Sequence, residues 1–388
     1  MWTLWIFGSP GAKIALAESQ EMAPRCRRAE AAEPDTGRML ASRPMPSPVS
    51  LPAHLTLLIP GLLWPRPALD DIVRGLRLPA LERLLRFGTR CRLPLPDEGA
   101  WWCEAFAAGD PPLPAAPLRL HAAGMEAGDR EWACLDPAHL GFEPQQAMLA
   151  DPAGLDLSAA EDAQLQALVA PIVAPLGDLA ATRPGHWHIA PRLPLPPMPA
   201  TIGDDGPPVA LIPQGEIGRP WRQALNEAQM ALHAHPINRA REAAGKPTVN
   251  TLVLWGAGRL PAPKRRPADL LLATDAAVHG LALRAGCRTG AVPDGFGALD
   301  GAGAASTLVR IDALAAPARR HDALAWNTAL HAVERCWLAP ATDAVEHGRT
   351  KSLEAIGFGA GGCLRLRYGR RDRLRFWRAP AALTELHP

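Results

Sequence analysis

The sequence predicts an α/β fold: a doubly wound sheet interrupted by a smaller inserted α+β domain. Three observations predict it. Short apolar runs of strand length are followed by stretches with helical apolar spacing, proline-dense segments bracket residues 110–198, and the alternating pattern resumes beyond the second bracket. At 388 residues the chain can bury a large core and is long enough for two or three domains.

Residues 1–50 stand apart from the rest. The apolar run 2–7 is too short to span a bilayer and has no basic residue before it, so it makes a poorly formed signal peptide. Residues 19–48 are charged and poor in large apolar side chains, which predicts a disordered extension with Met45 as the expected true start. The α/β core is expected over 51–109 and 199–388. It opens with the run HLTLLIP (54–60), read as a buried parallel strand, and the helix LPALERLLRF (78–87) with Leu81, Leu84, Leu85 and Phe87 on one face. The inserted domain, 110–198, holds short strands and one helix for which Ser158 and Glu161 form a capping box. The core pattern then returns with a helix over 221–233, strands over 248–255 and 269–273, a helix over 276–285 and a glycine-rich loop over 295–303. The chain closes with helices over 322–337 and 343–346 and an arginine-rich edge hairpin over 363–378 that turns at 369–372.

The stretch 226–261 concentrates unusual polar residues beside an apolar strand: His233, His235, Asn238, Arg241 and Asn250. An Asn within such a strand costs roughly 1–3 kcal/mol unless its amide is paired, so Asn250 requires a defined partner. Two readings are open. One is a network that pins helix to strand; the other is a ligand site formed by His235, Asn238, Arg241, Asn250 and Trp255, with cationic and amide donors suited to a small anion.

The pattern H-P-x-N-x-x-R-x-x-x-G-x-x-x-x-N-x-x-x-x-W-G-x-G, filled by His235, Pro236, Asn238, Arg241, Gly245, Asn250, Trp255, Gly256 and Gly258, resembles a segment of the archaeal-type cofactor-independent phosphoglycerate mutases, members of the alkaline phosphatase superfamily. The opening N-E-x-Q-M (Asn226, Glu227, Gln229, Met230) and the upstream W-x-x-x-D-P-x-H-L (Trp132, Asp136, Pro137, His139, Leu140) resemble the bacterial RpfE-type regulatory proteins more closely. The resemblance implies an alkaline-phosphatase-like version of the expected fold. In that superfamily two divalent metals on Asp and His ligands clamp a phosphoryl group attacked by Ser or Thr.

The resemblance places those groups where this sequence lacks them. The first strand ends Ile59-Pro60-Gly61-Leu62 in place of Pro-Asp-Gly, and the nucleophile position falls on or near Gly99-Ala100-Trp101. Neither Ala nor Trp forms a phosphoenzyme. The Asp-His pair expected between 356 and 366 is absent, and His186-Trp187-His188, with both imidazoles on one strand face, stands where the mutases carry a Tyr-Arg pair. His321-Asp322 reads as a helix N-terminus, Asp343 with His347 as a surface pair, and Cys103 as a buried thiol.

A net charge of +2 argues against an obligate nucleic-acid binder, and with only Lys13, Lys246, Lys264 and Lys351 as lysines the arginines reflect general composition. Seven cysteines without a CxxC pair read as reduced thiols of a cytoplasmic protein. The dinucleotide, phosphate-loop and G-x-S-x-G patterns are absent. The leading expectation is a metal-free, cofactor-free pseudoenzyme with a regulatory or ligand-sensing role. It would have a small anionic ligand or a protein partner, and no nucleic acid or membrane. Two rivals stand beside it. One is a working mutase or phosphotransferase with ligands converging from Asp70, Asp71, His279, Asp294 and Asp300; the other is an interaction module exposing Trp101, Trp102 and Phe106.

Overall fold

The main sheet has seven strands, and its inner strands are near-continuous apolar runs buried on both faces. A computed structural model describes residues 51–64, 72–73, 75–143, 146–149, 155–201, 212–359, 362–379 and 383–386. The expected N-terminal extension, residues 1–50, lies outside the described residues. In chain order the first half contains β1 (His54–Leu63), α1 (Pro79–Phe87), β2 (Thr89–Leu93), α2 (Glu98–Phe106), α3 (Ala115–Ala122), β3 (Trp132–Ala138), β4 (Leu140–Glu143), β5 (Gln146–Leu149), α4 (Ala159–Val173), β6 (Gly177–Arg183) and β7 (His186–Pro191). The second half contains α5 (Gly215–Ala234), α6 (Pro236–Ala243), β8 (Thr251–Gly258), β9 (Leu270–Leu272), α7 (Ala276–Arg284), β10 (Arg288–Gly290), β11 (Ser306–Arg310), α8 (Ala315–Arg319), α9 (Ala323–Val333), α10 (Ala339–Glu346), β12 (Ser352–Gly359) and β13 (Gly362–Gly369).

The main sheet has the order β10-β9-β11-β1-β12-β13-β2, parallel from β10 through β12 and antiparallel for β13 against both neighbours. Along β1, Leu55, Leu57 and Ile59 face one core with Leu81 and Leu84 of α1, Trp326 and Leu330 of α9 and Val345 of α10. Leu58 faces the other core, with Trp101, Trp102 and Phe106 of α2, Leu118 of α3 and Leu281 of α7. Helices therefore cover both faces of a parallel-rich sheet, as a doubly wound fold requires. Each such fully buried side chain contributes about 1.5–3 kcal/mol.

A second sheet, β6-β7-β3-β8, is wholly antiparallel. One face carries Trp132, Cys134, Val253 and Trp255 into the same core as α2, α3 and α7. The opposite face carries Leu135, Trp187, Ile189, Leu252 and Leu254 against α4 and α5. The capping box is present as expected: Ser158 accepts from Glu161 N, and the Glu161 carboxylate returns to Ser158 N.

Several local expectations change. The strand assigned to the main sheet over 248–255 is β8, which pairs with β3 instead, so sheet membership does not follow the boundary at 198/199. An apolar run specifies burial on both faces but not which sheet it joins. Gly256 and Gly258 both lie within β8, and the strand bulges at Gly256 and Ala257. Gly256 holds φ +60°, and a Cβ there would lie 2.8 Å from the Ala115 Cβ. Pro236 occupies the first turn of a new helix, α6. The terminal hairpin is also different: β13 is interior, flanked by β12 and β2, and residues 372–374 form a 3-10 turn in place of a returning strand. Trp101 and Trp102 are buried and Phe106 fully so, which removes the exposed aromatic surface of the interaction-module reading. No described helix is long and apolar enough to cross a membrane.

Candidate functional site

The polar residues of 226–261 fall into two groups. Asn238, buried on α6, donates from Nδ2 to Leu232 O and Val249 O at 2.7 Å each and accepts from Val249 N at 2.8 Å. Arg241, one turn on, uses all three nitrogens inside the chain. Nε donates to Pro247 O at 2.7 Å, Nη1 pairs with Glu161 at 2.9 Å and Nη2 donates to Leu155 O. His235 caps the helix by accepting from Ile237 N. Asn250 has the partner its strand position demanded: it exchanges two hydrogen bonds with the backbone of Leu140, 2.7 and 2.9 Å long. Burial disfavours the charge of Glu161, but hydrogen bonds from Ser158 and Arg241 outweigh it and hold the carboxyl at about 2.

Trp255 belongs to the second group, on the other face of the small sheet. Its Nε1 donates to Asp136 Oδ2 at 2.9 Å, and the Arg119 guanidinium lies 4.5 Å from its ring centroid. Asp136, buried on β3, also accepts from Trp187 N at 3.0 Å and from Arg119 Nη1 at 2.7 Å. Burial pushes this carboxyl up, while the Arg119 charge and the hydrogen bonds from Arg119, Trp255 and Trp187 favour its ionised form. Burial likewise opposes the Arg119 charge, and Asp136 more than restores it. Next to them on β7, His186 and His188 share one face, as the strand spacing predicts. Each has a buried Nδ1 without a hydrogen-bond partner among the described residues, and burial with the Arg119 charge pushes both imidazoles down to about 3. His188 lies opposite Cys134, which in turn lies opposite Trp255, so the row His188, Cys134, Trp255 crosses three strands beneath Arg119.

A third cluster occupies the carboxyl edge of the parallel strands, where sites of doubly wound folds form. Arg310, the last residue of β11, is bound by Glu98 from the first turn of α2 and by Asp312 just beyond the strand. Thr274 donates to Asp312, and Glu98 also accepts from Trp102 Nε1 at 2.8 Å. Asp275, which caps α7, raises the basicity of both Arg119 and Arg310 and so links this edge electrostatically to the small sheet. Gly99, Ala100 and Trp101 follow Glu98 in the first turns of α2, and none carries a nucleophile.

The ligands considered for a working phosphotransferase do not assemble. His279 bonds the Ala273 carbonyl at 2.7 Å, Asp294 and Asp300 are exposed, and Asp70 and Asp71 lie outside the described residues. Among the described residues no group of three His, Cys, Asp or Glu could hold a metal. Asp322 caps α9 by accepting from Ala325 N, Asp343 and His347 form an exposed pair 3.0 Å apart, and Cys103 is a buried thiol whose pKa burial raises. The sequence reading gave no role to Arg119, Asp136, Glu98, Arg310 or Asp312. Asp136 carried a usable signal, since a carboxylate inside a buried strand demands a cationic partner. The Arg310 cluster carried none, as Glu98 lies 212 positions from Arg310 in sequence.

The chain is thus an α/β protein with a parallel-rich sheet and a polar seam between its two sheets. No protein-family model and no curated protein matches the sequence. Solved structures similar to it include two from archaea. The cofactor-independent phosphoglycerate mutase from Thermoplasma acidophilum DSM 1728 shares 15% identity over 81% of this chain and 90% of its own, with a TM-score of 0.39. The PH0037 protein from Pyrococcus horikoshii shares 14% over 84% and 93%, with a TM-score of 0.47. At that level of similarity neither the reaction nor the ligands of those proteins transfer to this chain.

Proposed function

We propose that the chain is a phosphoglycerate-mutase-like scaffold without turnover, a regulatory or ligand-sensing protein of the RpfE type that takes a small anion at Arg119. The observation that carries this reading is the Arg310 clasp. Two-metal phosphoryl transfer needs open carboxylates and imidazoles around the metals and a hydroxyl for attack. Here Glu98 and Asp312 are closed around a guanidinium of the chain itself, the Thr274 hydroxyl is committed to Asp312, and α2 begins with residues that cannot attack. These side chains do not fit a metal pair.

The ligand position rests on unused donors. Asp136 engages only Nη1 of Arg119; Nε and Nη2 have no hydrogen-bond partner among the described residues. The neighbouring imidazoles are neutral and can donate to an anion without adding charge. Asn238, Arg241 and Asn250 serve in this reading as braces, because their amide and guanidinium groups already satisfy backbone and Glu161. Thermal unfolding with millimolar 3-phosphoglycerate or inorganic phosphate tests the position, with chloride at matched ionic strength as control. The reading predicts a rise of a few degrees with one of the anions, lost in Arg119→Lys. A rise that survives Arg119→Lys, or none with either anion, contradicts it.

A further inference from the structure

The turn that follows β13 presents three large apolar side chains to solvent: Leu374 is 60% exposed, Phe376 77% and Trp377 70%. These are not the side chains of a loose end. Arg375 donates to Phe87 O at 3.0 Å, Arg378 donates to Gly88 O at 2.7 Å, and Arg86 returns a bond to Arg378 O at 2.9 Å. Farther on, Leu383 and Leu386 are buried in the core against α1. The backbone is tied down on both sides of the turn, and Phe376 and Trp377 stack edge to face on each other, centroids 5.5 Å apart, with nothing of the described chain over them. The same turn is cationic. Arg367, Arg370, Arg371 and Arg373 are exposed around it, and its one acid, Asp372, is engaged by Gly369 N and Arg375.

We propose that this fixed Leu374, Phe376 and Trp377 turn with its surrounding arginines is a peripheral docking point for an anionic lipid surface. Trp and Phe are favoured at the boundary between head groups and acyl chains, where the indole keeps its N–H wet and its body dry, and guanidinium groups meet lipid phosphate there. Charge complementarity selects the lipid: a protruding aromatic pair ringed by four exposed arginines, its single acid neutralised, suits an anionic interface and gains nothing from a neutral one. Edge-strand protection explains arginines on β2, the edge strand of the sheet, but it does not explain exposed aromatics on a turn held in place by hydrogen bonds to the backbone. This departs from the expectation of no membrane partner, because the anchoring of the turn arises from contacts with α1 that are distant in sequence. Adsorption by one small turn is weak and reversible, so it needs neither a spanning helix nor an amphipathic one.

The test is co-flotation of the full chain with phosphatidylcholine vesicles containing about one third phosphatidylglycerol, against pure phosphatidylcholine. The expected result is association with the anionic vesicles only, released by salt at about 0.5 M. The double variant Phe376→Ser, Trp377→Ser should lower the bound fraction about tenfold, as should Arg370→Gln, Arg371→Gln, Arg373→Gln. All these positions are exposed, so an unchanged unfolding midpoint certifies that each variant is folded. The proposal is overturned by equal binding to neutral vesicles, or by binding that the serine pair leaves intact. It is also overturned if the patch mediates self-association or retention on polyglutamate while the protein ignores vesicles, since a second copy or an acidic polypeptide is then the occupant.

Discussion

His188 shows how much one residue's setting decides. Its ring is fully buried on β7, close to Arg119, with His186 and Arg183 on the same side of the hairpin, and its folded-state pKa is pushed down to about 3. The unfolded value is near 6.5, so below it the unfolded chain binds the proton and the folded chain does not. The stability this group contributes is fully present above pH about 6.5 and is lost progressively as pH falls toward 3. By linkage the loss at pH 5 relative to pH 7.5 is about 2 kcal/mol. Urea midpoints across that range should fall for the native chain and fall markedly less for His188→Asn; parallel slopes would show that His188 titrates normally. Arg241 and Asn238 belong to the same scale. The need for partners was legible in the sequence, because polar side chains beside an apolar strand must be paired. The partners themselves were not, since Glu161 lies 80 positions from Arg241 and Leu140 lies 110 from Asn250.

Among elements, local pattern fixed existence and type better than membership. The runs that became β1, α1, β9 and α7 were recognisable from their apolar spacing, and Ser158, Glu161 and Asp322 announced the starts of α4 and α9. What the pattern could not supply was the neighbour. β8 joined the small sheet, β13 became interior because β2 came to its far edge, and α1 has its first turn capped by Glu334, whose carboxylate accepts from Ala80 N and Leu81 N at 2.6 and 3.1 Å. Helix contacts follow the same logic. α3 lies against α7 at Gly280, where a Cβ would fall 2.0 Å from the backbone oxygen of Leu118. No rotamer relieves a clash with backbone, so Gly280→Ala must push the two helices apart and should cost roughly 2–3 kcal/mol. A denaturant midpoint unchanged by that substitution would mean that the helices are not in contact as described.

At the scale of the whole molecule, two sheets share a core through α2, α3 and α7, and the seam between them collects the charged residues that the fold must satisfy or use. Its two ends differ in kind. At the carboxyl edge of the main sheet Glu98 and Asp312 are answered by Arg310 and Asp275 by backbone N–H groups, an arrangement that stabilises. On the small sheet Arg119 keeps donors in reserve beside two neutral histidines. The central claim is that this seam binds without turning over. Metal content and phosphoglycerate mutase activity, measured together on the purified chain with added manganese, test that claim most directly. The account predicts well under about 0.1 equivalent of tightly bound metal and no turnover above the blank; about two equivalents with turnover would contradict it and place the catalytic ligands elsewhere in the chain.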